Sequence, residues 1–322
     1  MKNRVLVVGS GFMAAEYLKV LVNLNWDVVV VGRGEEKIMI LKKEYPQFTY
    51  HKGGLEEFLK NQTDLPEFAI NTSNINQLKI TTCLLLQSGI KNILVEKPGD
   101  IYEDGLREIA VLEVKNNAKV LIAYNRRFYS SVLRLMKEAV VDGGVRSAHF
   151  EFTEWVHTID PKHYNEEALL KWILSNSSHV IDTTFSIIGN PQILNTIVQG
   201  QNYLDWHPSG TVFVGSGVTD KNIPFTYHSN WEGPGRWAIE ISTKKRRFYL
   251  KPMEKLQQQL NGSVQISDVE VDDKLDIEFK PGLFLQTKNF LDKQFEGFQT
   301  VHSQVIAMEM YYRIGGYQKS EI

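Results

Sequence analysis

The first 123 residues alternate between short apolar runs and stretches with helical spacing. The runs that have the length of a buried strand are residues 4–8, 27–31, 67–70, 93–95 and 120–123. Between these runs, apolar positions recur every three or four residues. The helices predicted from this spacing are residues 12–25, 35–45, 76–88 and 102–116. Strands that alternate with helices form βαβ units, so the pattern predicts a parallel sheet covered on both faces.

From about Tyr124 the pattern changes to a period of two, after one more helix near residues 130–140. The strands predicted there are residues 145–156, 193–203, 211–218, 225–231, 238–242, 247–250 and 263–271. Closely spaced strands of this period are typical of a mainly antiparallel sheet. The helical patterns expected to cover one face of it are residues 168–188 and the segments near Phe290 and Ile306. The change of period predicts two domains, 1–123 and 124–322.

Composition and charge narrow the class of protein. The chain has 322 residues, with 36 Lys+Arg, 38 Asp+Glu and a formal net charge of −2. A near-neutral chain lacks the basic stripe with which nucleic-acid binders release counterions. The single cysteine, Cys83, excludes an intramolecular disulfide, and the eight histidines show no metal-binding spacing. No apolar run approaches the roughly 20 residues that cross a bilayer, and no signal peptide is evident. We therefore expect a cytoplasmic protein that handles a small molecule and binds no metal, nucleic acid or membrane.

A glycine-rich turn follows the first strand and opens the first helix. It consists of Gly9, Ser10, Gly11, Phe12, Met13 and Ala14. Gly9 permits a tight turn, and Gly11 has no Cβ, so a pyrophosphate can approach the backbone. The free N–H groups and the dipole at the start of the helix favour phosphate. Between a strand and a helix, this motif predicts a Rossmann dinucleotide-binding domain, although a tight turn without a ligand would use the same residues.

The end of the second strand indicates which dinucleotide binds. An acidic side chain there would hold the ribose 2′-hydroxyl of NAD(H). This chain has Arg33 between two glycines instead, and a guanidinium can bind a 2′-phosphate. NADP(H) is therefore the favoured cofactor, with NAD(H) as the alternative. Arg33 could also point into solvent, or stack on the adenine without discriminating between the two.

A lysine stands at the C-terminal end of the fourth predicted strand, in the sequence Glu96-Lys97-Pro98. In an open α/β sheet, ligands bind at that edge. An ammonium group beside a nicotinamide ring can polarise a carbonyl or protonate an alkoxide. From its position alone, Lys97 could equally be a surface lysine at a strand end.

At these motifs the chain resembles the Gfo/Idh/MocA oxidoreductases, which include glucose–fructose oxidoreductase and inositol dehydrogenase. The resemblance covers most of the chain. It rests on the glycine turn, on Asn71-Thr72-Ser73-Asn74, on Glu96-Lys97-Pro98, on Tyr124-Asn125-Arg126-Arg127-Phe128 and on His179-Val180-Ile181-Asp182. It implies an α/β protein: an N-terminal Rossmann domain and a C-terminal α/β domain with an open, mainly antiparallel sheet. It also implies hydride transfer between nicotinamide and a sugar-type or related carbon.

The resemblance assigns roles to residues of this chain. Lys97 would be the main acid/base, near the hydroxyl or carbonyl being converted. The cofactor would be bound by Gly9, Ser10, Gly11, Phe12, Met13, Arg33, Asn71, Thr72, Ser73, Asn74, Glu96 and Lys97. Pro98 would set the turn after the strand, and a cis peptide bond fits there. Asn125 and Arg126 would reach the substrate, whereas Arg126 and Arg127 could equally form inter-domain salt bridges.

The chain departs from the family at a catalytic position. Many members carry a catalytic Asp four residues before a catalytic His, on the same face of a helix. In this chain the His corresponds to His179, and Ser175 stands where the Asp would be. An i, i+4 pair shares a helix face, so the two could still meet. A serine cannot act as a general base, so His179 is expected to orient or donate to the substrate oxygen, unless it is a core histidine. Asp182 is expected to be a structural partner.

Further polar and aromatic residues of the second domain suit a sugar. The candidates are His157, Tyr164, Trp172, Ser175, Asn176 and Arg236. Arg236 could bind a carboxylate or phosphate of the substrate, or could be a surface residue of a hairpin turn. The favoured function is an NADP(H)-dependent oxidoreductase of CH–OH groups acting on a sugar-type alcohol or ketone, with nucleotide-linked and acidic sugars among the candidates.

Two alternatives to that function stay open. One is an imine (C=N) reductase of the same family. The other, from a different class, is a non-catalytic nucleotide-binding regulator, which the Ser at position 175 would permit. A sheet face left open by the second domain would be a liability unless covered, which predicts a homodimer or homotetramer through the C-terminal sheet.

Overall fold

The computed structural model describes residues 3–62 and 64–318. Contacts between Cα atoms divide the chain into two compact units. Of the described residues, the first comprises 3–62, 64–124 and 277–305, and the second comprises 125–276 and 306–318. The chain therefore passes from one unit to the other next to the predicted boundary at residue 124. It then returns, so residues 277–305 lie with the first unit and not with the domain predicted for 124–322.

The regular elements are numbered here in chain order. The strands are β1 (Arg4–Val8), β2 (Asp27–Val31), β3 (Thr49–His51), β4 (Phe68–Asn71), β5 (Asn92–Glu96), β6 (Lys119–Ala123), β7 (Ser147–Glu151), β8 (Pro191–Gln199), β9 (Val212–Thr219), β10 (Pro224–Asn230), β11 (Ala238–Ser242), β12 (Arg246–Leu250), β13 (Gln257–Leu260), β14 (Ile266–Asp268) and β15 (Gln299–Thr300). The α-helices are α1 (Phe12–Asn23), α2 (Glu35–Glu44), α3 (Leu55–Lys60), α4 (Leu78–Gln87), α5 (Glu103–Lys115), α6 (Ser130–Val141), α7 (Glu166–Leu170), α8 (Ser178–Ile188), α9 (Lys274–Glu278), α10 (Leu283–Leu291) and α11 (Val301–Gly315).

The first unit is built on a parallel sheet with the order β15-β6-β5-β4-β1-β2-β3. The two-residue strand β15 runs antiparallel to its neighbour β6, and the other pairs described in this sheet are parallel. β1 is an interior strand that pairs in register with both β2 and β4, and its residues Val5, Leu6 and Val7 are completely buried. A strand buried on both faces reads as a continuous apolar run, which explains why the sequence revealed it. The parallel sheet of a Rossmann-type fold is thereby confirmed.

The short edge strands of this sheet escaped the sequence analysis. β3 has three residues and β15 has two, so neither shows a measurable period. The helix near Phe290 was expected to cover the second sheet, and that expectation is wrong. Phe290 lies in α10 of the first unit, where its ring meets the edge of the Phe68 ring at a centroid distance of 5.5 Å. Phe290 itself is completely buried.

The second unit contains the predicted mainly antiparallel sheet, with the order β14-β13-β12-β11-β7-β10-β9-β8. β7 and β10 pair in parallel, and the other neighbours in this sheet are antiparallel. Helices α6 and α8 pack against strands β7, β11 and β12. Phe150 of β7 packs edge-on against Phe185 of α8 at 5.6 Å. The predicted α/β fold class is therefore confirmed for this unit as well.

Three predicted elements of the second unit differ from the structure. The strand expected over residues 145–156 is limited to β7, because the chain leaves the sheet after Glu151. The segment 263–271 contains only β14, and its partner β13 was not predicted because Gln257–Leu260 is polar and lacks a period-two pattern. The helix expected over 168–188 is divided into α7, a π-helical turn at Ile173–Ser177, and α8.

Candidate functional site

The glycine turn between β1 and α1 has no room for a side chain at position 9. Its φ of +119° lies where side chains are rarely found. A Cβ on Gly9 would lie 2.4 Å from Thr72 Oγ1 and 2.7 Å from the Thr72 carbonyl oxygen. A Cβ on Gly11, the N-cap of α1, would meet nothing within 4 Å. The turn is thus closed on the Thr72 side and open at Gly11.

The start of α1 is suited to an anion. No side chain of the described residues caps this helix, and its first turn carries no acidic residue. The amide groups of an uncapped first turn need acceptors, and the helix dipole favours negative charge there. Because Gly11 leaves the approach open, the local structure fits the pyrophosphate of a dinucleotide.

A cavity of about 690 Å³ lies over this turn, at the carboxyl ends of β1, β2 and β4. This volume is within the range of about 300–1,000 Å³ that is usual for cofactor sites. The sequence-predicted cofactor residues that line the cavity are Gly9, Ser10, Gly11, Arg33, Thr72, Ser73 and Asn74. Lining residues that the sequence analysis missed include Lys37, Gly54, Gln77 and Thr81. The residues present therefore fit a nucleotide with its phosphate at the α1 N-terminus.

Two residues of the turn lie outside the cavity wall. Phe12 is 69% exposed, and its ring faces the ammonium of Lys280 at 5.5 Å. Met13 is half-buried in the first turn of α1 and is not among the lining residues. Their backbone amides, which stand at the helix start, are the groups that could reach a phosphate.

Asn71 does not line the cavity but supports its wall through hydrogen bonds. Its side chain is completely buried at the end of β4. The amide nitrogen donates to Thr81 Oγ1 at 2.7 Å and to Thr82 Oγ1 at 2.9 Å, while Oδ1 accepts from the Ser73 hydroxyl at 2.8 Å. Asn71 thereby holds Ser73 in place at the cavity edge.

Arg33 lies at the end of β2 among several charged side chains. It is exposed, and its aliphatic stem lies against Gly54, where a Cβ would be 3.2 Å from Arg33 Cγ. Lys37, in the first turn of α2, lines the same cavity. Glu35 and Glu36 also line it, and Glu35 forms an ion pair with Lys52 at 3.2 Å. Two cations that could bind a 2′-phosphate thus stand beside two carboxylates.

The segment Glu96-Lys97-Pro98 ends β5 within the first unit. Tyr17 donates a hydrogen bond of 3.0 Å to Glu96 Oε1. Burial raises the pKa of Glu96, against the opposing effects of the Tyr17 hydroxyl and the Lys97 ammonium. Lys97 is half-buried directly after the strand, and its peptide bond to Pro98 is cis. Glu96 and Lys97 do not line the 690 Å³ cavity.

In the second unit, the π-helical turn changes the setting of Ser175 and His179. The Ser175 hydroxyl donates to the carbonyl oxygens of Ala168 at 2.8 Å and Lys171 at 3.1 Å. Ser178, in the same serine-rich run, donates to the Leu174 carbonyl at 2.7 Å. Such hydroxyls compete for backbone acceptors and disturb α-helical pairing, and π-turns are frequent at functional sites. His179 follows directly, half-buried in the first turn of α8.

The structure adds a residue that sequence reasoning missed, the buried carboxylic acid Glu154. Its side chain is 3% exposed, and Oε1 accepts hydrogen bonds from Ser177 Oγ at 2.6 Å and Asn176 Nδ2 at 3.0 Å. Burial raises the pKa of Glu154, although Ser177, Asn176 and Arg236 each oppose that rise. The sequence carried no signal for it, because Phe152, Thr153 and Glu154 are all buried after β7 ends and their burial does not alternate as it would along a strand.

Two arginines and two tryptophans lie next to Glu154. The guanidinium carbon of Arg236 is 4.6 Å from the Trp155 ring centroid and 5.3 Å from that of Trp237. The guanidinium carbon of Arg126 is 4.7 Å from the same Trp237 ring. We call Arg126, Arg236, Trp155 and Trp237 the arginine–tryptophan cluster. The His179 ring lies 6.1 Å from the Trp237 ring, so His179 borders the cluster.

The other predicted substrate residues fall into separate environments. Asn125 is buried beside Arg126, and Arg127 forms a bidentate ion pair with buried Asp182, both contacts being 2.7 Å. This pair lies within the second unit. His157 is exposed in a 3₁₀ turn. Tyr164, Trp172 and Trp206 form an aromatic chain, with successive ring centroids 4.9 Å and 5.6 Å apart.

Two features are absent from residues 3–62 and 64–318. No helix of this part of the chain has the length and apolar character needed to cross a membrane. In the same residues, no group of three or more His, Cys, Asp or Glu side chains is arranged to hold a metal ion.

The fold and the glycine-lined cavity define a Rossmann-type protein with an open-sheet second unit. No protein-family model and no curated protein matches the sequence. Solved structures do match. An oxidoreductase from Agrobacterium radiobacter, in complex with NAD+, L-tartaric acid and magnesium, has a TM-score of 0.78 at 9% identity, over 98% of this chain and 96% of that chain. UDP-N-acetylglucosamine 3-dehydrogenase GnnA from Acidithiobacillus ferrooxidans has a TM-score of 0.73 at 11% identity, over 99% of both chains.

The same fold also occurs in a regulator. The transcriptional regulator Gal80p from Kluyveromyces lactis has a TM-score of 0.78 at 13% identity, over 98% of this chain and 89% of that chain. At such identities the likeness shows the fold alone, and that fold serves both dehydrogenases and a regulator.

Proposed function

We propose that the chain is an NADP(H)-dependent oxidoreductase of the Gfo/Idh/MocA family that transfers hydride to or from a sugar-type alcohol or ketone. The observation that carries this proposal is the 690 Å³ cavity at the uncapped start of α1, with Gly11 open toward it and Arg33 in its wall. The similar structures support it, since one holds NAD+ and another is a nucleotide-sugar dehydrogenase.

In the proposed reaction, each candidate residue has a distinct role. The nicotinamide, when bound, supplies or accepts the hydride. Lys97 is the acid/base that exchanges a proton with the substrate oxygen, and His179 orients that oxygen or donates a hydrogen bond to it. Glu96, held by Tyr17, keeps a carboxyl group beside Lys97 at the end of β5. Arg33 and Lys37 bind the 2′-phosphate, which gives the preference for NADP(H) over NAD(H).

The test compares two lysines at opposite ends of β5. Lys97 follows the strand, and Lys91 precedes it. Lys97→Ala is expected to lower turnover by about 100-fold or more, the size usual for general acid–base catalysis, while NADPH affinity is retained. Lys91→Ala is expected to leave both unchanged. Turnover is followed by nicotinamide absorbance with a panel of sugars, sugar acids and nucleotide sugars. Normal turnover of Lys97→Ala would refute the assignment.

The likeness to Gal80p favours a second candidate, a nucleotide-binding regulator without chemistry. Ser175 is consistent with it, because its hydroxyl is bonded to backbone carbonyl oxygens and cannot serve as a base. Such a protein would bind NADPH but turn over no member of the substrate panel. Sugar-dependent oxidation of NADPH, or reduction of NADP+, would exclude it.

We also propose self-association through the second sheet, in a cytoplasmic protein. The exposed face of β8 and β9 carries Ile193, Ile197 and Val214, with 55%, 61% and 39% of these residues exposed. Uncovered apolar residues on a sheet face at its edge favour association with a second copy. Light scattering at micromolar concentration is expected to give a dimer or tetramer, and a 36.9 kDa monomer alone would contradict this.

A further inference from the structure

The two guanidiniums of the arginine–tryptophan cluster are not fully neutralised by nearby carboxyl groups. Arg126 is half-buried, with its guanidinium over the rings of Trp237 and Tyr129 at 4.7 Å and 5.7 Å. Within residues 3–62 and 64–318, this guanidinium forms no hydrogen bond and no ion pair. An arginine keeps its charge in a protein, so its five N–H donors remain available to a ligand.

Arg236 adds a second positive charge close to Arg126. Burial, together with the positive charge of Arg236, lowers the pKa of Arg126, which means that the two cations repel each other. Among the described residues, the carboxylate partner of Arg236 is Glu154, and the contact is loose, with Nη1 3.8 Å from Oε2. Charge-assisted hydrogen bonds of this kind are usually about 2.7–2.9 Å long.

The nearby acids do not pair closely with both guanidiniums. Glu154 uses Oε1 to accept from Asn176 and Ser177. Glu254 is exposed and acts on Arg126 through space, without an ion pair among the described residues. If Glu154 is ionised, two guanidiniums face one enclosed carboxylate, and a monoanion would restore neutrality. A dianionic phosphate would instead meet the Glu154 carboxylate with an excess of negative charge.

The rings of Trp155 and Trp237 indicate what kind of molecule carries the anionic group. Trp155 and Trp237 hold the guanidiniums by cation–π contacts, which fixes the direction of their N–H donors. A guanidinium fork matches the two oxygens of a carboxylate. Ring edges beside it can pack against the C–H groups of a sugar. His179, 6.1 Å from the Trp237 ring, lies next to this position.

We propose that the arginine–tryptophan cluster binds a carboxylate of the substrate, so that the substrate is an acidic sugar. This inference rests on the proposed oxidoreductase function, which leaves the class of sugar open. Arg126 is the principal anion-binding residue, and Arg236 closes on the same carboxylate from the Trp155 side. Glu154 positions Arg236 and is not itself a ligand of the anion.

The experiment compares charged and neutral sugars. Binding of glucuronate, galacturonate and mannuronate, of glucose, galactose and mannose, and of inorganic phosphate is measured by tryptophan fluorescence and calorimetry on the full chain. At least one uronate is expected to bind about tenfold or more tightly than its neutral hexose. Equal affinity within every pair would overturn the proposal, and so would binding of phosphate with no uronate bound.

Variants assign the preference to the cluster. Arg126→Gln is expected to remove the preference for uronates, and Arg236→Gln, a half-exposed position, provides a second test if the first variant fails to fold. Arg247→Gln is the matched control, because Arg247 is 53% exposed and also lies 3.8 Å from its carboxylate partner, Glu240. A uronate preference that survives in Arg126→Gln, or in Arg236→Gln where Arg126→Gln does not fold, would overturn the proposal.

NADPH titration of the same preparations separates the two proposals. Binding of NADPH without a uronate preference would refute the anion site alone. A uronate preference without binding of either dinucleotide would refute the oxidoreductase function while the anion site stands.

Discussion

Two glycines of one turn are expected to respond in opposite ways to the same added methyl group. In Gly9→Ala the Cβ would lie 2.7 Å from the Thr72 carbonyl oxygen, a backbone atom that cannot rotate away. The φ of +119° adds strain. A sparsely populated backbone conformation costs about 1–3 kcal/mol and overpacking a similar amount, so we expect a loss of about 2–6 kcal/mol in the free energy of unfolding.

In Gly11→Ala the added methyl group meets nothing within 4 Å, and the φ of −91° is ordinary for alanine. The free energy of unfolding should therefore change by less than about 0.5 kcal/mol. The methyl group would, however, occupy the approach to the amides at the start of α1. A phosphate oxygen needs to come within about 3 Å of those nitrogens. We expect NADPH affinity to fall at least about tenfold, equivalent to about 1.4 kcal/mol.

The assay pairs denaturant unfolding with calorimetric titration of NADPH for both variants. Gly233→Ala is the control, because Gly233 lies in the second unit and a Cβ there would approach only the flexible Asn230 side chain, at 3.3 Å. It should change neither quantity. If Gly11→Ala binds NADPH as tightly as the wild type, the phosphate does not lie at this turn. If Gly9→Ala is as stable as the wild type, the Thr72 contact does not constrain the turn.

Three further predictions concern charged residues. Arg33→Gln should weaken NADPH binding about tenfold or more and leave NADH binding unchanged, because a charged hydrogen bond contributes about 1.5–3 kcal/mol; equal losses for both dinucleotides, compared by titration, would contradict this. Asp182→Ala should lower the free energy of unfolding by about 3 kcal/mol or more, because it removes the buried carboxylate partner of Arg127, whose side chain is only 13% exposed. Asp292→Ala, at an exposed ion pair, should lower it by less than about 1 kcal/mol. Denaturant unfolding distinguishes the two variants, and similar losses would refute the argument. Burial raises the pKa of Glu154 in the folded state above its value in the unfolded chain, which is about 4.3. The stability that this carboxyl group contributes is therefore fully present below about pH 4.3, and it is lost as the pH rises through the raised pKa of the folded state. Glu154→Gln lacks this loss, so the unfolding free energy of wild type minus variant should fall over that range; a difference independent of pH would show that the carboxyl group is not perturbed.

Much of the fold could be predicted because burial leaves a strong pattern in the sequence. β1 and β2 are enclosed on both faces and contain the unbroken apolar runs 5–8 and 28–31. Elements with little buried apolar surface left no such pattern. β13 consists of Gln257–Leu260, and its pairing with Arg246–Leu250 depends on backbone hydrogen bonds that residue type does not encode.

The candidate site was predicted where it is local in sequence and missed where it depends on tertiary contact. The turn from Gly9 to Gly11 and the strand end at Lys97 are local features. The environment of Glu154 depends on Asn176 and Ser177, more than 20 residues away, and on Arg236. The π-helical turn could not be read from periodicity, because apolar spacing at 168–188 suggested one continuous helix.

Binding of a pyridine dinucleotide in the glycine-lined cavity is the central requirement of the proposed function. Calorimetric titration of the wild-type chain with NADPH and with NADH measures this directly. We expect one site per chain, tighter for NADPH, with the affinity reduced in Gly11→Ala. Absence of binding of either dinucleotide to the folded wild-type protein would contradict the account.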